Sequence, residues 1–557
     1  MIEPHGRLEL TWTNKPLRLL AHENGSYEWV NPADYRVAEV RLLDNVTTVG
    51  SAASRRCRDN LLIRGDALNA LTSLSKLPEF ARELVGKVRL VYIDPPFNTQ
   101  QSFLQYDDAL EHSVWLTMMR DRILQVIDLL APDGSLWLHL DDSEMAYCKV
   151  MLDELLGRQN FVATVVWEKT YTPKSNGRAI STDHDYILCY AKDASKWLSS
   201  GWNLLPRSAV QESRFKNADG DPKGPWRTYP LDVRTENEER RASYRYPVEL
   251  PSGRVVHPAQ GRHWALPEER FLRERTEGLI WFGPDGNAMP TKKVYLSEAR
   301  SGVIARSWWP HDEVGSSQDA KREGKVLFPD REPFATPKPE KLLERILTIG
   351  TRPGDIVLDY FVGSGTTAAV AQKMGRRWVA IERESDTVSD FTIPRLKKVV
   401  EGSDPGGVTP LTDWQGGGGF RILEVAPSMF EADGGLVFLA DWMTNGKLAE
   451  ATAAQLGFNY EADPPFAGRK GRARLAVVDG VVNDNVVRLL VSVLPERERV
   501  VICGTGIDPD ARGVLRDLRP GSTLRKIPAA LLSEYRSSQL RLPLDTEDTV
   551  TEYAEVK

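Results

Sequence analysis

Cysteine is scarce. Four residues, Cys57, Cys148, Cys189 and Cys503, stand far apart among 557, with no Cys-x-x-Cys pair. That spacing supports neither a disulfide framework nor a zinc knuckle, so thiols in a reducing compartment are expected. Long apolar runs are also missing. None reaches the ~18 residues a membrane span requires, so no membrane partner is expected. The first residues, Met1-Ile-Glu-Pro-His-Gly-Arg7, lack the basic-then-apolar layout of a secretory leader, which makes a cytoplasmic location the expectation. No Gly-x-x-x-x-Gly-Lys-Ser/Thr loop occurs, so work driven by ATP would need another polypeptide. Positive charge is not in surplus either: the net charge is −6. A nucleic-acid interface would have to be local. Residues 196–332 carry a balance of +3 and the remainder −9, which permits one basic face.

What is present is alternation. Val88–Ile93 is a buried-strand pattern, Trp115–Leu130 a helix, Ser135–Leu140 a strand, and Met145–Leu156 a helix closed by Gly157. The rhythm is lost over 195–334, where Arg, Pro, Gly and Trp dominate, and returns from Pro339 to about Lys398. Strands alternating with helices predict an α/β fold with a mostly parallel sheet, here interrupted by an insert. After Gly416–Gly419, a strand, a helix and a strand at 474–479, 486–493 and 499–503 predict a small α/β domain. The expected organisation is a lead-in (1–59), one half of the sheet domain (60–194), an insert (195–334), the second half (335–420), a C-terminal interaction module (421–540) and an acidic tail (541–557).

Two motifs carry chemistry. Leu358-Asp-Tyr-Phe-Val-Gly-Ser-Gly-Thr-Thr367 follows a strand and opens a helix, and a second strand ends at Glu382. Glycines at 363 and 365 let backbone approach a nucleoside where a Cβ would collide. An acid ending the next strand can hold two ribose hydroxyls. Taken alone, this fits a dinucleotide site nearly as well as a methyl-donor site. The other motif, Ile93-Asp94-Pro95-Pro96-Phe97-Asn98-Thr99, suits an exocyclic amine on a flat ring. Asp94 and the Pro95 carbonyl can each accept an amino hydrogen, Pro95 and Pro96 stiffen the turn, and Phe97 offers a stacking face. The blander alternative has the prolines ending a strand and Phe97 in the core. If both turns sit at the switch point of one doubly wound sheet, they face one crevice.

These residues resemble the β group of DNA amino-methyltransferases, in which the amine motif precedes the donor motif. More narrowly, the chain is similar to the modification (Mod) subunit of type III restriction–modification systems over about Leu8 to Phe420. The similarity includes Asn60-Leu-Leu-Ile-Arg-Gly-Asp66, Leu138-His-Leu-Asp-Asp142, Asp183-His-Asp-Tyr186 and Thr336-Pro-Lys-Pro-Glu340. It implies a circularly permuted Rossmann-like methyltransferase fold with a target-recognition insert, S-adenosylmethionine as cofactor and double-stranded DNA as substrate. It also implies a homodimer and a separate ATP-driven restriction subunit. Asp66 would lie beside the donor's adenine, and Glu382 would hold its ribose. Asp359, Phe361, Gly363, Ser364, Gly365 and Thr366 would surround the methionine end, with Asn98 and Lys338 also in the donor site. Phe97 stands where the family usually has Tyr, which keeps the stacking face.

Adenine N6 is therefore the expected target. Cytosine N4 methylation is the nearest alternative, since that group more often carries Ser where Asp94 stands. RNA or protein amide methylation, a catalytically silent DNA-specificity subunit and a dinucleotide-dependent oxidoreductase are the others. No metal is expected: His139, Asp141 and Asp142 sit at a strand–helix junction, where carboxylates cap free N–H groups. The tryptophans of the insert are expected chiefly to fill small cores. Basic pairs such as Lys292-Lys293 and Lys321-Arg322 are read as solvated surface, with phosphate contact for some.

Overall fold

The computed structural model describes residues 9–21, 27–51, 60–97, 102–103, 106–107, 111–172, 180–234, 239–433, 436–444 and 446–532. Asn98 and the acidic tail lie outside them. The centre is a ten-stranded sheet. In chain order its strands are β1 (Leu43–Gly50), β2 (Leu61–Arg64), β3 (Val88–Ile93), β4 (Leu130–Leu140), β5 (Phe161–Glu168), β6 (His184–Ala191), β7 (Trp308–Trp309), β8 (Ile356–Asp359), β9 (Arg377–Glu382) and β10 (Gly419–Val425). Their spatial order is β7-β5-β6-β4-β3-β8-β9-β2-β10-β1. The six strands from β4 to β10 in that order run parallel, and antiparallel pairings appear at β5–β6, β6–β4 and β10–β1. The expected mixed, mostly parallel α/β sheet is what forms.

Central parallel strands are covered on both faces, so their sequences read as continuous apolar runs. In β3 every residue but Arg89 is buried, and in β8 all four are. The covering helices are α1 (Ala67–Lys76), α2 (His112–Leu129), α3 (Met145–Leu152), α4 (Ser317–Leu327), α5 (Glu340–Gly350), α6 (Thr366–Lys373) and α7 (Ile393–Glu401). Local chemistry sets their ends. Asp66 accepts from Leu68 N–H at 2.8 Å to start α1, and a Ser316/Asp319 capping box starts α4. Gly375, with φ +72°, lets the chain turn after α6 into β9.

β3 and β8 are neighbours, with Leu358 opposite Val91. From β3 the chain proceeds through α2 to β4 on one side, and from β8 through α6 to β9 on the other. That divergence is the switch point, where the loops leaving the two strands part and open a crevice.

Leu204–Ala305 form a second compact unit. It is built from a three-stranded antiparallel sheet (Trp226–Pro230, Thr291–Tyr295, Ile280–Trp281) and the helix Glu268–Thr276. Trp264 and Phe271, each 1% exposed, centre its core. Its chain ends meet: Leu205 and Val303 exchange two backbone hydrogen bonds of 2.9 Å. The insert's tryptophans divide as expected, with Trp226 and Trp264 buried. Lys292 and Lys293 are not free surface. Lys292 binds Glu274 at 2.7 Å, and buried Lys293 binds Asp221 at 2.7 Å.

The region after Phe420 contains a five-stranded sheet in sequential order, Asn459–Asp463, Phe466–Lys470, Ala473–Val482, Arg499–Ile507 and Thr523–Lys526. The last three strands are parallel. Gln455, on the helix Lys447–Leu456, exchanges side-chain bonds with the backbone of Val40 at 2.7 and 3.2 Å.

Candidate active site

The turn after β3 is rigid from several directions. Two prolines limit its backbone, and the Trp115 indole N–H on α2 donates to the Pro96 carbonyl at 2.7 Å. Phe97 stacks on His139, with ring centroids 5.8 Å apart and planes at 27°. His139 is fully buried on β4, its Nδ1 2.9 Å from the Tyr92 hydroxyl and its Nε2 3.3 Å from Asp185. Burial, followed by the Lys338 charge, lowers its pKa, so a neutral imidazole backs the Phe97 ring. Asp185 is held down at about 2: burial opposes ionisation, but the His139 hydrogen bond and the charges of Lys169 and Lys338 outweigh it. Lys169 reaches Asp185 at 2.6 Å.

Asp94 ends this wall. One carboxylate oxygen pairs with the Lys338 ammonium, and the other, Oδ1, is buried with no hydrogen-bond partner among the described residues. An unfilled buried acceptor is costly, so a donor brought in by a ligand would be favoured there.

The facing wall is the turn after β8. Gly363 has φ +50° and Gly365 φ +84°, in the left-handed region that glycine tolerates. The Gly363 N–H donates to Glu382 Oε2 at 2.8 Å, and the N–H groups of Arg383 and Glu384 donate to Oε1. Glu382, buried at the end of β9, is thereby tied to the glycine turn, although burial raises its pKa. Asp359 accepts from Phe361 N–H at 3.0 Å. Burial pushes Asp359 up to about 7, hydrogen bonds from Thr367 and Phe361 resist, and the charges of Asp94 and Glu382 add to the rise.

The two turns line one cavity of about 390 Å³. Of the residues singled out in the sequence, Asp94, Pro95, Pro96, Phe97, Lys338, Asp359, Phe361, Gly363, Ser364, Thr366 and Glu382 all contribute to its wall. Gly365 does not. It caps α6, where a Cβ would come within 3.2 Å of Thr392. Asp66 is not in the wall either: its carboxylate is committed to Leu68 N–H and to Arg122 at 2.7 Å.

Trp167, Lys169, Asp185, Ser317 and Lys321 also line the cavity. The sequence pointed to the Asp183–Asp185 segment without saying which acid faces inward. Their partners decide it: Asp185, on β6, turns toward His139, while Asp183, just before the strand, accepts from the Ser181 hydroxyl. Asp141 accepts from Ser143 N–H at 2.9 Å, in keeping with a turn-capping role.

Behind the glycine turn lies a buried ionic cluster. Glu340, the first residue of α5, binds Lys373 at 2.8 Å and Arg395 at 2.8 Å. Lys373 also binds Asp404 at 2.7 Å, and Arg395 reaches Thr366 Oγ1 at 2.8 Å. Glu323 on α4 accepts from the Glu340 N–H, and burial with the Glu340 charge pushes it up to about 7.

A doubly wound sheet with a glycine turn, a strand-end acid and an Asp-Pro-Pro-Phe loop around one crevice at its switch point has the ligand-binding end of an open α/β fold. Residues 88–392 match the family described as DNA methylase, over half of the chain, and the chain belongs to that family. It is 28% identical over 424 residues to the "Probable type III restriction-modification enzyme HindVI Mod subunit" of Haemophilus influenzae (66% of this chain, 54% of that protein). It is 30% identical over 344 residues to the type III StyLTI Mod subunit of Salmonella typhimurium (57% and 50%), and 26% over 417 to the EcoP15I Mod subunit of Escherichia coli (63% and 62%). The chain thus spans about half the length of the first two relatives.

Proposed function

We propose that this chain is a site-specific DNA methyltransferase that uses S-adenosylmethionine to methylate adenine N6 in duplex DNA. One observation carries the assignment: the Asp94 carboxylate and the glycine turn at Gly363 and Ser364 belong to the two walls of one cavity. The donor fits the residues present. Glu382 is a buried strand-end carboxylate whose three backbone donors leave one acceptor position for a ribose hydroxyl, the positive-φ turn leaves room for a nucleoside, and a cationic ligand would favour the ionised forms of Asp94, Asp359 and Glu382. When bound, S-adenosylmethionine supplies an electrophilic methyl on a sulfonium.

The residues of the chain then do the rest. A target adenine must leave the duplex stack, at a cost of a few kcal/mol, and Phe97 offsets part of that cost by stacking. Asp94 and the Pro95 carbonyl take the two amino hydrogens, which draws the nitrogen lone pair out of ring conjugation. The nitrogen gains the methyl and loses one proton to water by way of Asp94. Alignment and fixed acceptors supply the catalysis, with no covalent enzyme intermediate.

The unit 204–305 is assigned target recognition from its composition and its separate core. Membership of a restriction–modification or phage-defence system, homodimerisation and a separate ATP-dependent restriction subunit are inferred from the Mod relatives. Assay of duplex DNA with tritiated donor, followed by single-molecule sequencing of host DNA with and without the protein, tests the function. N6-methyladenine at one recurring sequence is expected. N4-methylcytosine would replace the base assignment, and no incorporation would overturn the enzyme assignment.

A further inference from the structure

Lys338 occupies an unexpected place for a residue assigned to the donor. Its ammonium pairs with Asp94 and stands over the Phe97 ring, 5.1 Å from the centroid. Those are the two features a flipped base needs, the acid that takes its amino hydrogen and the aromatic face that carries its ring. A lysine ammonium is an N–H donor with affinity for both carboxylates and π faces, so it imitates the substrate's amino group. A base cannot seat while Lys338 is there.

The stem of this side chain is fixed. Pro337 and Pro339 bracket it, and Glu340 next along is locked by Lys373 and Arg395. The four-carbon side chain remains free to swing from a rigid base. Other cations of the wall do not compete for Asp94. Lys169 is held by Asp185, and Lys321 is exposed on α4. Lys338 alone, among the described residues, forms an ion pair with Asp94, and its departure would leave a part-buried carboxylate unpaired.

We infer that Lys338 is a displaceable occupant of the base-binding site, which exchanges Asp94 for the carboxylate of the amino-acid end of a bound methyl donor. The inference rests on the methyltransferase assignment. The exchange conserves charge. The ammonium gains a new carboxylate partner, the donor's sulfonium adds a positive charge to the cavity, and Asp94 becomes an open acceptor for an amine. Donor and base therefore bind in order, donor first, and base opening depends on the donor's carboxylate more than on its nucleoside.

The test uses the whole protein and a duplex carrying its methylation site, with 2-aminopurine at the target position. That base lacks the 6-amino group, so no turnover intervenes, and its fluorescence reports unstacking. For the unaltered protein, saturating S-adenosylmethionine should raise the opened fraction by about 5–150-fold, the usual range of coupling between sites. Decarboxylated S-adenosylmethionine, which keeps the sulfonium, should bind without that rise. Lys338→Met should open the base without donor while binding the donor more weakly, opposite changes that a merely structural role would not give. Equal opening with and without donor, or equal effects of the two compounds, overturns the exchange. The comparison of compounds needs no variant, so it decides the matter even if Lys338→Met does not fold. Normal methylation of adenine-containing DNA alongside a failed coupling test would leave the enzyme assignment standing, and absent methylation would remove both.

Discussion

Asp94 faces two duties at the residue scale, and its variants separate them. Asp94→Ala removes a placed acceptor and should lower methyl transfer by at least roughly 10²–10³-fold. Donor affinity, read by isothermal titration, should be kept or rise, because Lys338 is released from Asp94. Loss of both together would assign Asp94 to folding. Gly363→Val tests the opposite wall. A β-branched residue at φ +50° costs about 1–2 kcal/mol in backbone strain, and its added bulk should narrow the cavity that Gly363 lines. Unchanged donor affinity would contradict that placement. Asp359 gives a signed pH effect. Its folded pKa of about 7 lies above the ordinary carboxyl value, so the stability it contributes is complete below pH ~4 and lost as pH rises through 7. The donor-free protein should lose thermal stability between about pH 4 and 7 and level off above it, and Asp359→Asn should flatten that decline. Asp185 acts the other way: its contribution holds above pH ~4 and fades toward 2.

At the element scale, β3 and β8 carry the two motifs as adjacent parallel strands, so their loops open on the same side of the sheet. α5 and α6 must also hold their relation, and Glu340 does this from the first turn of α5 by gripping Lys373 on α6. Removing it leaves two buried cations without their shared partner. Glu340→Ala should cost about 3–5 kcal/mol in chemical denaturation. A loss below ~1 kcal/mol would mean the cluster is solvated. The main sheet elements were legible in the sequence because continuous apolar runs and glycine stops are local signals. Val88–Ile93 was read residue for residue, and Ser135–Leu140 was read as the second half of what proved to be the longer strand β4. The ionic cluster was not legible. Its members, Glu323, Glu340, Lys373, Arg395 and Asp404, are spread over 81 positions and meet only when four segments pack.

For the whole molecule, the unit 204–305 begins and ends on paired backbone at Leu205 and Val303. Replacing the residues between them with a short Gly/Ser link should leave a folded protein that binds donor with near-native affinity. Site-specific methylation should vanish. Retention of the same site after excision would remove target recognition from this unit.

Residue order alone determined the alternation of strand and helix, the glycine turn, the Asp-Pro-Pro-Phe loop and the interruption between the two halves, because each rests on neighbours in the chain. Only the tertiary structure decided that Lys338 lies on Asp94, that Asp185 and Lys169 complete the wall, and that Asp66 is committed to Arg122. Those pairings join residues from 16 to 244 positions apart. They exist because the sheet, through its parallel strands and through the antiparallel β5–β6 pair, brings separated segments together, where the low dielectric makes each charge choose its partner.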